Sequence, residues 1–174
     1  MQIESSSSLK NSRTPIVSSI HTIDPVFDKN SQILILGSFP SVKSREQGFF
    51  YGHPQNRFWK VVSAVFECPV PKTIEEKKLF LLKNGIALWD VIASCEVNGS
   101  SDSSIKNVLP NDISRILKKC DIKSIYLNGK TAEKYYKKYL LKKAECPAVC
   151  LPSTSPANAA WSTERLIDAW KIIR

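Results

Sequence analysis

Four short apolar runs limit what this chain can become. "QILILGSFPS" from Gln32, "GIALWDVI" from Gly85, "IKSIYLNG" from Ile122 and "PAVCLPS" from Pro147 are continuous rather than alternating, and three of them run straight into glycine, proline or serine. A continuous run has two faces to bury, which marks a strand covered on both sides. Helical patterns separate the runs. The alternation predicts an α/β fold, a three-layer α/β/α domain with a central four-stranded parallel sheet. In such a sheet, functional groups gather on the loops that leave the carboxyl ends of the strands.

The helices between the runs have readable ends. Pro54 sits where a first-turn proline is tolerated, ahead of the apolar stripe Phe58, Val61, Val62 and Val65. Thr73 and Glu76 have the spacing of a capping box, and Gly85 is placed to stop the helix that follows. Asn111 or Asp112 can cap "ISRILKKC"; Ser162 can cap the last helix, in which Leu166, Ile167, Trp170 and Ile173 face inward. A length of 174 residues favours one core. That domain is expected to span residues 23–174 and to act as a monomer, after a serine-rich mobile arm over residues 1–22.

Composition narrows the partner and the compartment. Lysine and arginine number 25 against 16 acidic residues, a net charge of +9 that points to a polyanion. Five cysteines at irregular spacings, without a CxxC pair, fit a reduced intracellular compartment. Cys146 and Cys150 are close in sequence, but Pro147 and the run "AVCL" put them on a strand, so no metal or iron–sulfur cluster is expected. No apolar run approaches the ~20 residues of a membrane span, and no membrane association is expected.

The most unusual stretch is "FFYGHPQNRFWKVV", Phe49 to Val62, where three aromatics, an imidazole and a carboxamide crowd around a helix start. Taken with "GSFPS", "NGK" and "LPSTSPAN", in order and at strand ends, it resembles the uracil-DNA glycosylase superfamily. The likeness runs from about Ile33 to Arg174. It is nearest the hypoxanthine (deoxyinosine) branch, then the mismatch-specific uracil branch. The resemblance implies a monofunctional DNA glycosylase without a cofactor. Such an enzyme flips a deaminated base, hypoxanthine first, out of double- or single-stranded DNA and hydrolyses its N-glycosidic bond, leaving an abasic site for base excision repair. The alternatives are a uracil or mismatch-specific uracil/thymine glycosylase, or a lesion-binding module without catalysis on the same fold.

Breaking that bond builds positive charge on the sugar and negative charge on the departing base. A useful site therefore holds a water below the sugar, donors facing the base and a flat surface for the extruded ring. Related glycosylases carry a water-handling Asp or Asn in the first loop, where this chain has Phe39, which is assigned to base binding instead. Asn56 is then the natural substitute, orienting water through its carbonyl oxygen; otherwise it braces the helix start. Tyr51 is the base-stacking ring or a core residue, and His53 donates to base or phosphate or ties down its loop. Asp90 either accepts an N–H of the base or makes a salt bridge at a strand end. Ser153 stands where relatives place a stronger His or Asn donor, which disfavours ordinary uracil as substrate. The resemblance also implies DNA contacts by Ser41, Lys130 at a helix start, Ser155, and a wedge from Pro156 to Asn158. No lysine is placed for a Schiff base, so strand cleavage is not expected.

Overall fold

The computed structural model describes residues 17–97, 104–146 and 148–174. Its strands are β1 (Val17–Ile20), β2 (Ile33–Gly37), β3 (Ile86–Asp90), β4 (Ile92–Val97), β5 (Lys106–Pro110), β6 (Ser124–Asn128) and β7 (Ala148–Leu151). Its α-helices are α1 (Val42–Gln47), α2 (Phe58–Val65), α3 (Ile74–Lys83), α4 (Ser114–Leu117), α5 (Lys130–Tyr139), α6 (Leu141–Ala144) and α7 (Thr163–Trp170).

The four apolar runs form one sheet in the order β3-β2-β6-β7, with every neighbouring pair parallel. Leu34, Ile35, Leu36, Ile86, Leu88, Ile125 and Leu127 are all buried, as two-sided coverage requires. From β2 the chain crosses in one direction to β3; from β6 it crosses the other way to β7. Right-handed crossovers running in opposite directions put the intervening helices on opposite faces, which gives the three layers. α2 packs on α7, where the Phe58 ring meets Trp170 edge-on at 5.9 Å between centroids. α5 packs on β6 and β7. The order reverses between β2 and β6, and that reversal opens a crevice outside the carboxyl ends of the strands.

Local signals set most of the helix ends. Thr73 Oγ1 accepts the Glu76 N–H while the Glu76 carboxylate accepts the Thr73 N–H, so the capping box closes. Ser162 caps α7 by accepting the Arg165 N–H. Gly85, at φ 65°, turns the chain after α3 in a conformation that disfavours side chains. Asp112 accepts the Ser114 N–H at the start of α4, whereas Asn111 is buried and donates to the carbonyls of Asp90 and Ile92.

Three features differ from the sequence reading. Residues 17–22, expected to belong to a mobile arm, join the fold: β1 pairs antiparallel with β4, and the His21 N–H bonds to the Ala93 carbonyl at 2.7 Å. "VSSI" carries too little apolar character to signal a strand, and its partner lies far along the chain. The loop expected after Asp90 instead contributes β4, which with β1 and β5 makes a second, antiparallel sheet; residues 98–103 of that loop lie outside the described residues. Pro54 does not begin a helix. It sits in a turn closed by the Asn56 N–H on the His53 carbonyl at 2.9 Å, and α2 starts at Phe58. Proline fits there because its fixed φ suits the second residue of such a turn.

Candidate active site

A cavity of about 300 Å³ opens at the carboxyl ends of the parallel strands. That lies at the small end of ligand sites, ~300–1,000 Å³, and suits one flat ring better than an extended ligand. Its wall gathers Gly37 at the end of β2 with Phe39 and Ser41 just after it, Tyr51, His53 and Asn56 before α2, Asp90 at the end of β3, Asn128 at the end of β6, and Ser153, Ser155 and Pro156 after β7. Val97 of β4 and Ile105, just ahead of β5, close one side. Of the residues singled out in the sequence, Lys130 and Asn158 are the two that do not line it.

Asn56 stands just ahead of α2. Its Oδ1 accepts the Phe58 N–H at 2.9 Å and the Thr154 hydroxyl at 3.0 Å. A backbone N–H can only donate, so the assignment of oxygen and nitrogen is fixed by the bond itself. Both in-plane lone pairs of the carbonyl oxygen are therefore occupied. The oxygen expected to orient water is instead holding the helix start and the β7 loop, and Nδ2 is the group left for the cavity.

Behind Asn56 runs a closed polar network. Asn128 Nδ2 donates to Tyr51 Oη and to Thr154 Oγ1, both at 3.0 Å, while its Oδ1 accepts the Thr154 N–H at 3.0 Å. Thr154 is wholly buried, and its hydroxyl passes the chain of bonds on to Asn56. The network locks Tyr51 as well, whose φ of 53° is a left-handed conformation that a non-glycine residue adopts only under constraint. The Tyr51 ring lies on Phe58 with 4.0 Å between centroids and 21° between planes. Burial, then the Asp90 carboxylate, push its phenol well above the usual tyrosine range, against the opposing Asn128 bond, so the hydroxyl stays protonated.

Asp90 is buried, and its Oδ2 accepts from His21 Nε2 at 2.8 Å. The carboxylate leans over Gly37, its partner in the β2–β3 register: a Cβ at that position would sit 2.2 Å from Asp90 Oδ1 and 3.0 Å from Tyr51 Oη. Glycine at 37 is thus what admits the carboxylate to the cavity wall. Phe39 packs edge-on against His21 at 6.0 Å and under the Arg45 guanidinium at 5.4 Å.

The β7 loop is held from beneath. The Arg57 guanidinium donates to the carbonyls of Ser155 (2.9 Å), Asn158 (3.0 Å) and Trp161, and the Arg57 N–H bonds to the Thr154 carbonyl. Ser153 Oγ accepts the Ser155 N–H at 3.2 Å, which leaves its hydroxyl proton available to a ligand. Ser155 Oγ accepts the Ala157 N–H, and Pro156 and Ala157 form an exposed tip. Asn158 Nδ2 is committed to the Ser153 carbonyl at 2.9 Å, so it braces the loop. Replacing Arg57 by methionine would leave three carbonyls without their donor, and a loss of about 2–4 kcal/mol is expected in denaturant unfolding. Faster amide exchange confined to residues 153–161 would identify the loop as its target.

The remaining candidates have local partners. His53 Nδ1 accepts the Gln55 N–H at 3.2 Å, so in the neutral ring the proton sits on Nε2. Ser41 caps α1 by accepting the Ser44 N–H. Lys130 lies outside the cavity and bonds Glu133 at 2.9 Å; Lys137 and Lys130 together hold the Glu133 carboxyl down to about 2. His21, Arg57, Asn128 and Thr154 were not singled out in the sequence. The last three sit inside motifs already quoted, and motif membership was the available signal; His21 had only its rarity, as one of two histidines.

Among the described residues, no helix is long and apolar enough to cross a membrane. The family profile of the Uracil DNA glycosylase superfamily matches residues 25–174. A protein of Methanosarcina acetivorans named hypoxanthine DNA glycosylase is 38% identical over 142 residues, which is 80% of this chain and 89% of the relative. A protein of the same name from Methanosarcina barkeri is 37% identical over 114 residues, 64% of this chain and 72% of the relative. The fold is also similar to a solution NMR structure from M. acetivorans described as a candidate uracil DNA glycosylase, with a TM-score of 0.74 and 31% identity over 90% of this chain and 99% of that one.

Proposed function

The chain belongs to the uracil DNA glycosylase superfamily, and from that premise we propose that it is a monofunctional DNA glycosylase whose preferred base is hypoxanthine. The Asp90 carboxylate over Gly37 carries the choice of base. Deamination of adenine turns the ring acceptor N1 into an N1–H donor. A carboxylate accepts from that N–H and turns its lone pairs against the unmodified ring. The two relatives named hypoxanthine DNA glycosylase support the same reading.

In this reading the flipped nucleotide enters the cavity with its base against Tyr51, which Phe58 backs, and against Phe39. The glycosidic bond breaks with both electrons going to the base, and the Ser153 hydroxyl and backbone N–H groups stabilise the growing negative charge. Asn56 Nδ2 donates to one lone pair of a water, leaving the other to attack C1′. The water's oxygen ends on the sugar as the C1′ hydroxyl with one of its protons, and the other proton passes to the departed base. Bond breaking runs ahead of attack, so no ionised side chain is needed beneath the sugar. His53 Nε2–H, Ser41, Ser155 and Lys130 are assigned to the DNA backbone or the base edge. The Pro156–Ala157 tip fills the gap left in a duplex, which makes double-stranded DNA the better substrate. Asn158 supports that tip by bracing its loop. The enzyme acts as a monomer inside the cell, where its DNA lies.

The test is a set of matched duplexes carrying one hypoxanthine, uracil, xanthine or adenine, incubated with enzyme and cleaved with alkali at abasic sites. Hypoxanthine release fastest, with adenine inert, is the expected outcome. Uracil release at equal or greater rate would overturn the choice of base, and no release at enzyme excess would overturn the activity.

A further inference from the structure

His21 is an imidazole inside an aromatic box. Its side chain is 1% exposed, and the rings of Phe39, Phe50 and Trp89 stand 6.0, 6.2 and 6.4 Å from it. Buried polar atoms need partners, and both ring nitrogens of His21 have one. Nδ1 accepts the Ile23 N–H at 3.2 Å, so in the neutral ring Nε2 carries the proton, and Nε2 lies 2.8 Å from Asp90 Oδ2. The backbone of His21 is fixed in turn by the Ala93 carbonyl and by β1, which is docked on β4.

That arrangement constrains Asp90: the His21 donor occupies Oδ2 and holds the plane of the carboxylate, so that Oδ1 lies above Gly37. We infer that His21, delivered by the strand before the parallel sheet, is a specificity-determining positioning residue: it keeps Asp90 an acceptor for a ring N–H and thereby makes the cavity select purines protonated at N1. The inference rests on the glycosylase reading for the identity of the ligand, but the juxtaposition of His21, Asp90 and Gly37 is independent of it. Without His21, the buried carboxylate loses that donor and the hold on its plane, and Oδ1 swings from its place over Gly37. That change removes the preference for an N–H over a bare ring nitrogen.

The experiment uses the full chain, His21→Leu and His21→Gln, with duplexes carrying deoxyinosine or deoxynebularine, whose purine has a bare N1 and no N–H. Glutamine keeps an amide N–H close to the place of Nε2. Single-turnover release and equilibrium binding are measured on both duplexes. His21→Leu is expected to lower release and binding for deoxyinosine by about 10- to 100-fold while changing deoxynebularine less than about threefold, with His21→Gln restoring most of the difference. An equal fall on both duplexes, or no fall on either, would overturn the inference. A wild-type chain that releases neither base would refute the glycosylase reading. Binding would still decide the role of His21, by whether a wild-type preference for deoxyinosine is present and lost in the leucine variant.

Discussion

Replacing Asn56 by alanine is expected to slow hypoxanthine release by about 10²–10³-fold, the loss typical of removing one well-placed polar group from an active site. The same change deletes the acceptor for the Phe58 N–H, so stability should fall by about 1 kcal/mol, or roughly 2–4 °C in Tm for a chain of this size. The two effects separate in Asn56→Asp. Aspartate keeps an oxygen for the Phe58 N–H and the Thr154 hydroxyl, which preserves the brace seen at 2.9 and 3.0 Å, but it has no Nδ2. If the amide nitrogen holds the attacking water, Asn56→Asp melts near wild type and is as slow as the alanine variant. If a carbonyl oxygen does the work, the carboxylate substitutes for it and release stays fast or rises with pH. Single-turnover rates on one hypoxanthine duplex, with thermal melts of the same preparations, decide between them.

That Asn56 would stand at the cavity was legible in the sequence, but the direction of its carboxamide was not. That direction depends on the Thr154 hydroxyl, 98 positions away, and Thr154 depends on Asn128. No local pattern encodes such a chain of donors. The parallel sheet was readable for the opposite reason: β2, β3 and β6 each carry their own signal, because a run buried on both faces must be apolar throughout, whereas β7 at the sheet edge is apolar with Val149 exposed. β1, β4 and β5 carry weaker signals. They mix serine, lysine and asparagine with apolar residues, and their stability comes from pairing rather than from composition. His21 was lost with them. Its partner Asp90 lies 69 positions on, and only β1 docking on β4 brings the two together.

Gly37→Ala should damage the site with a single added methyl. Asp90 and Gly37 are register partners on parallel strands, and the Asp90 side chain occupies the space that a Cβ at 37 would need, with Oδ1 at 2.2 Å and Tyr51 Oη at 3.0 Å. The strand backbone is tied into the sheet on that side, so the carboxylate is what moves. A shift of about 1 Å at a positioning group costs on the order of 10²-fold in rate, and overpacking a buried site costs about 1–3 kcal/mol. Hypoxanthine release is expected to fall at least that far, with unfolding by denaturant shifted to match. The double variant Gly37→Ala/Asp90→Ala distinguishes this collision from a general disruption of β2. Removing the carboxylate gives the new methyl room, so the double variant should be more stable than the sum of the two single losses, by about 1 kcal/mol or more, while remaining inactive on hypoxanthine. Strictly additive losses would mean that the alanine acts through the strand itself, and that Asp90 does not depend on glycine to reach the base.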